Sequence, residues 1–162
     1  MKLQKGITIV EIILYLALLS IFMLVLLDIF MGGINLQFES EGTSAVQTDG
    51  QFIMARLMSD LKNADSVTTP QILGVSSPSL VFISSGVTFT YSLAGGVLSL
   101  TRSGETLALN SLETNVTALN FTRLGNVGGK PTIKIDLTIE SKTLRPGLKP
   151  ETRSYQTTFG LR

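Results

Sequence analysis

The chain has 162 residues, a net charge of +1, and neither cysteine nor histidine. This length allows one modest domain beside an N-terminal segment, and the near-neutral charge gives no bulk electrostatic reason to expect nucleic acid as a partner. The composition excludes disulfides, thiol nucleophiles, histidine general bases and histidine metal ligands.

A basic leader precedes a long apolar segment. Two lysines lie in residues 1–6, and residues 7–31 contain only two ionisable side chains, Glu11 and Asp28. As a helix, these 25 residues would extend about 37 Å, which exceeds the roughly 30 Å of a hydrocarbon core. Cleavable secretory signals have a shorter apolar region, of about 7–15 residues. We therefore predict a single transmembrane helix over residues 7–31, with the lysine-containing leader in the cytoplasm.

Glu11 is the unusual residue of this segment. A charge inside hydrocarbon costs roughly 2.5–3.5 kcal/mol, so such a residue indicates a functional site. If the segment were a simple signal anchor, the weak preference of acids for a helix N-terminus would be the one reason for a carboxylate there.

Residues 5–11 read Lys-Gly-Ile-Thr-Ile-Val-Glu, and this segment resembles the processing site of type IV prepilins and pseudopilins. In that family a membrane peptidase cuts after the glycine and methylates the new N-terminal amine, and the acid at the fifth mature position takes part in assembly. The resemblance implies cleavage between Gly6 and Ile7, N-methylation of Ile7, and an assembly role for Glu11. Many major pilins have a helix-kinking proline near the position of Asp28, so its absence favours a minor subunit.

Cleavage at this point would give Glu11 a cationic partner. The new amine at Ile7 would lie four residues before Glu11, on the same helix face. In a bundle of parallel helices, Glu11 of one chain could instead meet the Ile7 amine of a neighbour. That pairing would set the axial stagger, because a slip would leave two unpaired charges in an apolar interior. We predict the pairing between subunits, and the contact within one chain is the alternative.

The helix is predicted to resume beyond Gly32 and Gly33, where two adjacent glycines indicate a bend or a local melt. Apolar residues then recur at spacings of three and four and form one stripe, which consists of Ile53, Leu57, Leu61 and Ala64. This stripe is predicted to cover a sheet. Residues 32–68 are therefore predicted to be an amphipathic continuation of the helix that ends before Pro70.

Residues 69–162 are predicted to form an antiparallel β domain. Seven segments have strand-like composition or alternation, namely 79–84, 87–93, 97–101, 106–109, 116–122, 133–139 and 154–159. Ser85-Gly86 predicts a tight hairpin turn. The predicted fold class is α+β, with a long N-terminal transmembrane and amphipathic helix packed on an antiparallel sheet. This is the pilin-like architecture that the resemblance implies, and the element order is most similar to J-type pseudopilins and related minor pilins.

The sequence contains no glycine-rich phosphate loop and no dense run of calcium ligands. We therefore predict a non-catalytic subunit with no catalytic residue, no metal site and no cofactor. The resemblance implies prepilin peptidase, other pilin or pseudopilin subunits and the inner membrane as partners. It also implies a globular domain outside the cytoplasm and, after assembly, a periplasmic or extracellular filament such as a type IV pilus or type II secretion pseudopilus.

Two other functions remain open at this stage. The first is an adhesive or DNA-binding minor pilin of a competence-type filament, because four basic residues surround a Pro/Gly loop, namely Lys142, Arg145, Lys149 and Arg153. No aromatic residues interleave with them to stack on bases, so nucleic acid is not the expected partner. The second is a membrane-tethered enzyme, which the lack of histidine and cysteine disfavours.

Overall fold

The computed structural model describes residues 8–126, 129–143 and 149–161. The chain divides into two compact units, Met1–Phe38 and Glu39–Arg162. One helix, α1, spans Ile9–Lys62 and contributes to both. Its N-terminal part is apolar, and its C-terminal part packs on antiparallel strands.

Helix α1 passes through Gly32 and Gly33 without interruption, so the predicted local melt is wrong. A glycine in a helix interior costs about 1 kcal/mol relative to alanine, which is not enough to interrupt a long apolar helix. No atom outside the local helix lies within 4 Å of the Cβ position of either glycine.

The predicted end of the helix, at residue 68, is also wrong. Helix α1 ends at Lys62, and residues 66–69 form a strand. Hydrogen bonds to a following hairpin redirect the chain. The Ser84 hydroxyl donates to the Asn63 carbonyl at 2.6 Å, and the Ser85 N–H donates to the Asp65 carboxylate at 2.7 Å. The helix therefore ends well before Thr69, the residue at which Pro70 would disfavour helical geometry.

Nine strands follow in the described part of the chain: β1 (Ser66–Thr69), β2 (Ser76–Ser77), β3 (Leu80–Ser84), β4 (Val87–Ala94), β5 (Val97–Arg102), β6 (Glu105–Ala108), β7 (Thr114–Leu124), β8 (Thr132–Ser141) and β9 (Thr152–Gly160). They form two antiparallel sheets, with strand orders β1-β3-β4-β5-β6 and β2-β7-β8-β9. The predicted α+β class is confirmed, and so are all seven predicted strands, each end within two residues of its predicted position. Strands β1 and β2 were not predicted.

The predicted hairpin turn between β3 and β4 is confirmed. Ser85 and Gly86 have φ angles of 49° and 76°. Two successive residues with positive φ are what a two-residue hairpin requires, because this turn matches the twist of its strands. The turn between β5 and β6 uses Ser103 and Gly104 in the same way, with φ angles of 52° and 86°.

The core lies between the C-terminal part of α1 and the two sheets. The predicted stripe is buried, with Ile53, Leu57 and Leu61 fully enclosed. The burial extends further towards the N-terminus than predicted, through Gly50, Val46 and Gly42. The sheets contribute stacked rings and alternating aliphatic residues, which include Phe82, Phe89, Tyr91, Ile133, Ile135, Leu137 and Ile139.

Candidate functional site on the apolar helix

The first thirty residues of α1 expose apolar side chains. Ile9, Leu24 and Phe30 have 78%, 68% and 65% of their surface accessible, and no described residue before Gly42 is buried. Burying one such side chain fully is worth about 1.5–3 kcal/mol, and monomeric soluble proteins rarely expose continuous apolar surface of this extent. By its length and composition, α1 could cross a membrane once. Its surface therefore requires lipid or other polypeptide around it.

Glu11 lies in the first turn of this helix. Its backbone N–H donates to the Thr8 carbonyl at 3.1 Å and lies 3.3 Å from the Thr8 hydroxyl oxygen. Its carboxylate accepts a hydrogen bond from the Tyr15 hydroxyl, with 3.0 Å between the two oxygens. One carboxylate oxygen is therefore occupied by a residue of the same helix, and the group stays exposed at the surface of the chain.

Thr8 and Tyr15 were not identified from the sequence, although the spacing of each from Glu11 is typical of a helix contact. Thr8-Ile-Val-Glu11 has the spacing of a capping box, in which a threonine side chain bonds the backbone of the third helical residue. Tyr15 follows Glu11 by four residues, the spacing that places two side chains on one helix face. A capping role therefore accounts for the Thr8 contact with the Glu11 backbone, and the position of the carboxylate still needs its own explanation.

The other predicted processing residues, Gly6 and Ile7, lie outside the described residues. The pairing of Glu11 with the Ile7 amine, in one chain or between two, therefore stays a prediction. Asp28 is an exposed residue of α1. Of the basic residues around the C-terminal loop, Arg145 lies outside the described residues, and Lys142 and Lys149 are exposed.

No protein-family model matches the chain, and comparisons with curated proteins and with solved structures found no match. The resemblance to prepilins therefore rests on the N-terminal residues and on the order of the elements.

The globular unit contains a second polar cluster, around Asp49. The Asp49 Oδ2 atom accepts hydrogen bonds from the Ser111 N–H at 2.8 Å, the Ser111 hydroxyl at 2.8 Å and the Thr114 hydroxyl at 2.5 Å. Together with Glu41 and Glu113, Asp49 lines a surface pocket of about 570 Å³. In the described ranges, no group of three or more acidic side chains is placed to hold a metal ion. The contacts of Asp49 instead attach α1 to the connection between the two sheets.

Replacement of Asp49 with Asn should lower the free energy of unfolding of the globular unit by about 1–3 kcal/mol. An uncharged amide accepts three hydrogen bonds less well than a carboxylate, and its NH₂ group could face donors. Urea denaturation of the full chain in detergent, followed by far-UV circular dichroism, measures the change. Thr48→Ala alters an exposed neighbour in the same pocket and should leave the midpoint unchanged. Equal midpoints for Asp49→Asn and wild type would contradict the attachment role.

A third polar cluster connects α1 to the five-stranded sheet. The Tyr91 hydroxyl and the Arg56 Nε both donate to Asp60 Oδ2, at 2.5 Å and 2.9 Å. Burial raises the pKa of Tyr91 far above its ordinary value, and the hydrogen bond to Asp60 raises it further. The same carboxylate raises the pKa of Arg56. Tyr91 is fully buried and stays protonated, so this group is a structural ion pair with a neutral phenol and has no accessible nucleophile.

Proposed function

We propose that this chain is a minor pilin- or pseudopilin-like subunit, which is trimmed after Gly6 by prepilin peptidase and assembled through α1. The filament is a type IV pilus or a type II secretion pseudopilus. The observation that supports this most strongly is Glu11, an acid in the first turn of a helix whose surface is apolar and exposed for more than twenty residues. Its position five residues after a glycine, behind a basic leader, is the spacing of prepilins.

The acid in this apolar helix favours an assembly role over simple anchoring. An anchor needs about 20 apolar residues and no acid among them. Here the acid would cost several kcal/mol unless a cation meets it. Trimming after Gly6 supplies a cation, because it creates an N-terminal amine within one turn of Glu11.

The two lysines of residues 1–6 favour a cytoplasmic leader, by the positive-inside rule. The unit Glu39–Arg162 would then lie outside the cytoplasm, where it contacts neighbouring subunits. Its nine described strands are stabilised by apolar packing, which suits a domain without cysteine.

Mass spectrometry of the chain purified from membranes tests the first step. We expect the mature protein to begin at Ile7 and to carry one additional methyl group on its amine. Gly6→Val should retain residues 1–6, because a branched side chain would stand at the cleavage position. A wild-type protein that still begins at Met1 would contradict the proposal.

A further inference from the structure

Strand β9 differs from the other sheet edges in the described part of the chain. It pairs with β8 over nine residues, Thr152–Gly160, and lies at the end of its sheet. Strand β2 has two residues, β6 has four, and β1 has four with a register irregularity at its end. Proteins protect edges with short strands, bulges, prolines and charges. Residues 154–160 contain no proline and no charge, and their register with β8 is regular.

The hydrogen bonds at the two ends of this pair show which backbone groups of β9 point outward. The Ser141 N–H donates to the Glu151 carbonyl at 2.8 Å, and the Leu161 N–H donates to the Pro131 carbonyl at 3.0 Å. In an antiparallel pair, successive residues direct their N–H and C=O groups to alternate sides. The odd-numbered residues of β9 therefore bond β8. Ser154, Gln156 and Thr158 present their backbone groups to the open side.

The core is also incompletely covered at this edge. Tyr155 and Phe159 point inward and pack against the core, but both remain partly exposed. Their partners in β8, Leu137 and Ile133, are 1% and 0% exposed. A further strand with apolar residues at alternate positions would cover both rings, because residues of one face recur every second position.

The charge near the start of β9 indicates where an added strand would carry acidic residues. Lys142 and Lys149 are exposed beside the start of β9, whereas Arg153 pairs with Glu151, with 3.7 Å between Nε and Oε1. Glu151 is the only acid in residues 141–161. An incoming strand that runs antiparallel to β9 has its C-terminal end at this point. Carboxylates there would face the two exposed lysines.

We propose that β9 accepts an extended segment of another polypeptide by antiparallel strand addition. The segment is apolar at alternate positions and carries carboxylates at its C-terminal end. Main-chain hydrogen bonds to Ser154, Gln156 and Thr158 supply the binding, and the alternate side chains over Tyr155 and Phe159 supply selectivity. This inference does not depend on cleavage after Gly6 or on the role of Glu11, so its failure leaves the proposed function intact.

A labelled synthetic peptide tests this assignment on the full chain in detergent. The peptide has nine residues in which valine alternates with threonine, and its last two residues are aspartate. We expect saturable binding by fluorescence anisotropy, and slower amide hydrogen exchange at Gln156 and Thr158 but not at Thr157, which already bonds β8. Moving the two aspartates to the N-terminus should weaken binding severalfold.

Thr158→Pro is the decisive variant. Proline removes an outward N–H and spares the bonds to β8, so binding should fall at least about tenfold. Thr158→Ala keeps the N–H and should bind like wild type, and Ser154→Pro provides a second blocked edge if Thr158→Pro proves unfolded by circular dichroism. No saturable binding by the wild type, or equal binding by a folded proline variant, would overturn the assignment. Self-association through β9 without peptide binding would overturn it too, because the occupant would then be a second copy.

Discussion

Glu11→Gln should be inserted and trimmed normally but should enter filaments at least about tenfold less efficiently than wild type, which corresponds to roughly 1.4 kcal/mol or more per subunit. The substitution keeps the size of the side chain and its capacity to accept from Tyr15. It removes the charge that would pair with the amine of a neighbouring chain. A buried amine without its partner costs several kcal/mol, so the substitution destabilises the assembled state relative to the free subunit. The measurement compares sheared filament and membrane fractions by immunoblot, with leader cleavage followed by mass spectrometry.

Two matched variants separate assembly from local effects. Asp28→Asn removes the other charge of the apolar segment and should assemble nearly normally. Tyr15→Phe removes the hydroxyl that lies 3.0 Å from the Glu11 carboxylate. If the carboxylate served chiefly this contact within the chain, Tyr15→Phe would impair assembly as much as Glu11→Gln. Normal assembly by Glu11→Gln itself would refute the intersubunit pairing.

Local patterns in the sequence were sufficient for most of the fold. Alternation identified seven strands, and helical spacing identified Ile53, Leu57 and Leu61 as core. Strands β1 and β2 had no comparable signal, because they contain four and two mostly polar residues and exist through pairing with β3 and β7. The helix end at Lys62 likewise depends on bonds to residues about twenty positions later.

The residues of the candidate sites also fall into two classes, those that local spacing could identify and those that depend on contacts between distant parts of the chain. Glu11 was apparent from the cost of a carboxylate in an apolar run, and Tyr15 could have been found from its spacing of four. The contacts of Asp49 could not, since Ser111 and Thr114 lie 62 and 65 residues away in the chain. The openness of β9 depends on the order of strands in the sheet, which alternation within one strand does not contain.

Gly50→Ala should lower the free energy of unfolding by about 2–4 kcal/mol, although alanine is the better helix former. Helix α1 lies directly against β9 at this point. A Cβ atom on Gly50 would overlap a ring carbon of Tyr155, far inside van der Waals contact. The ring is held in place because its hydroxyl donates to the Val46 carbonyl at 3.3 Å. The alanine variant must therefore displace Tyr155 or move the helix away from the sheet. Urea denaturation of the full chain in detergent measures the loss.

Gly33→Ala is the control for helix propensity, since no atom outside the local helix lies within 4 Å of its Cβ position. It should be neutral or stabilising by up to about 1 kcal/mol. Tyr155→Ala removes the obstructing ring, so Gly50→Ala should cost little when added to that variant, and the double-mutant cycle isolates the contact between the two positions. If Gly50→Ala is equally damaging with and without the Tyr155 ring, the ring is not the cause. Glycine would then not be required at this position by the close approach of the helix to β9. The apolar stripe of α1 would be the remaining determinant of how the helix packs on the four-stranded sheet.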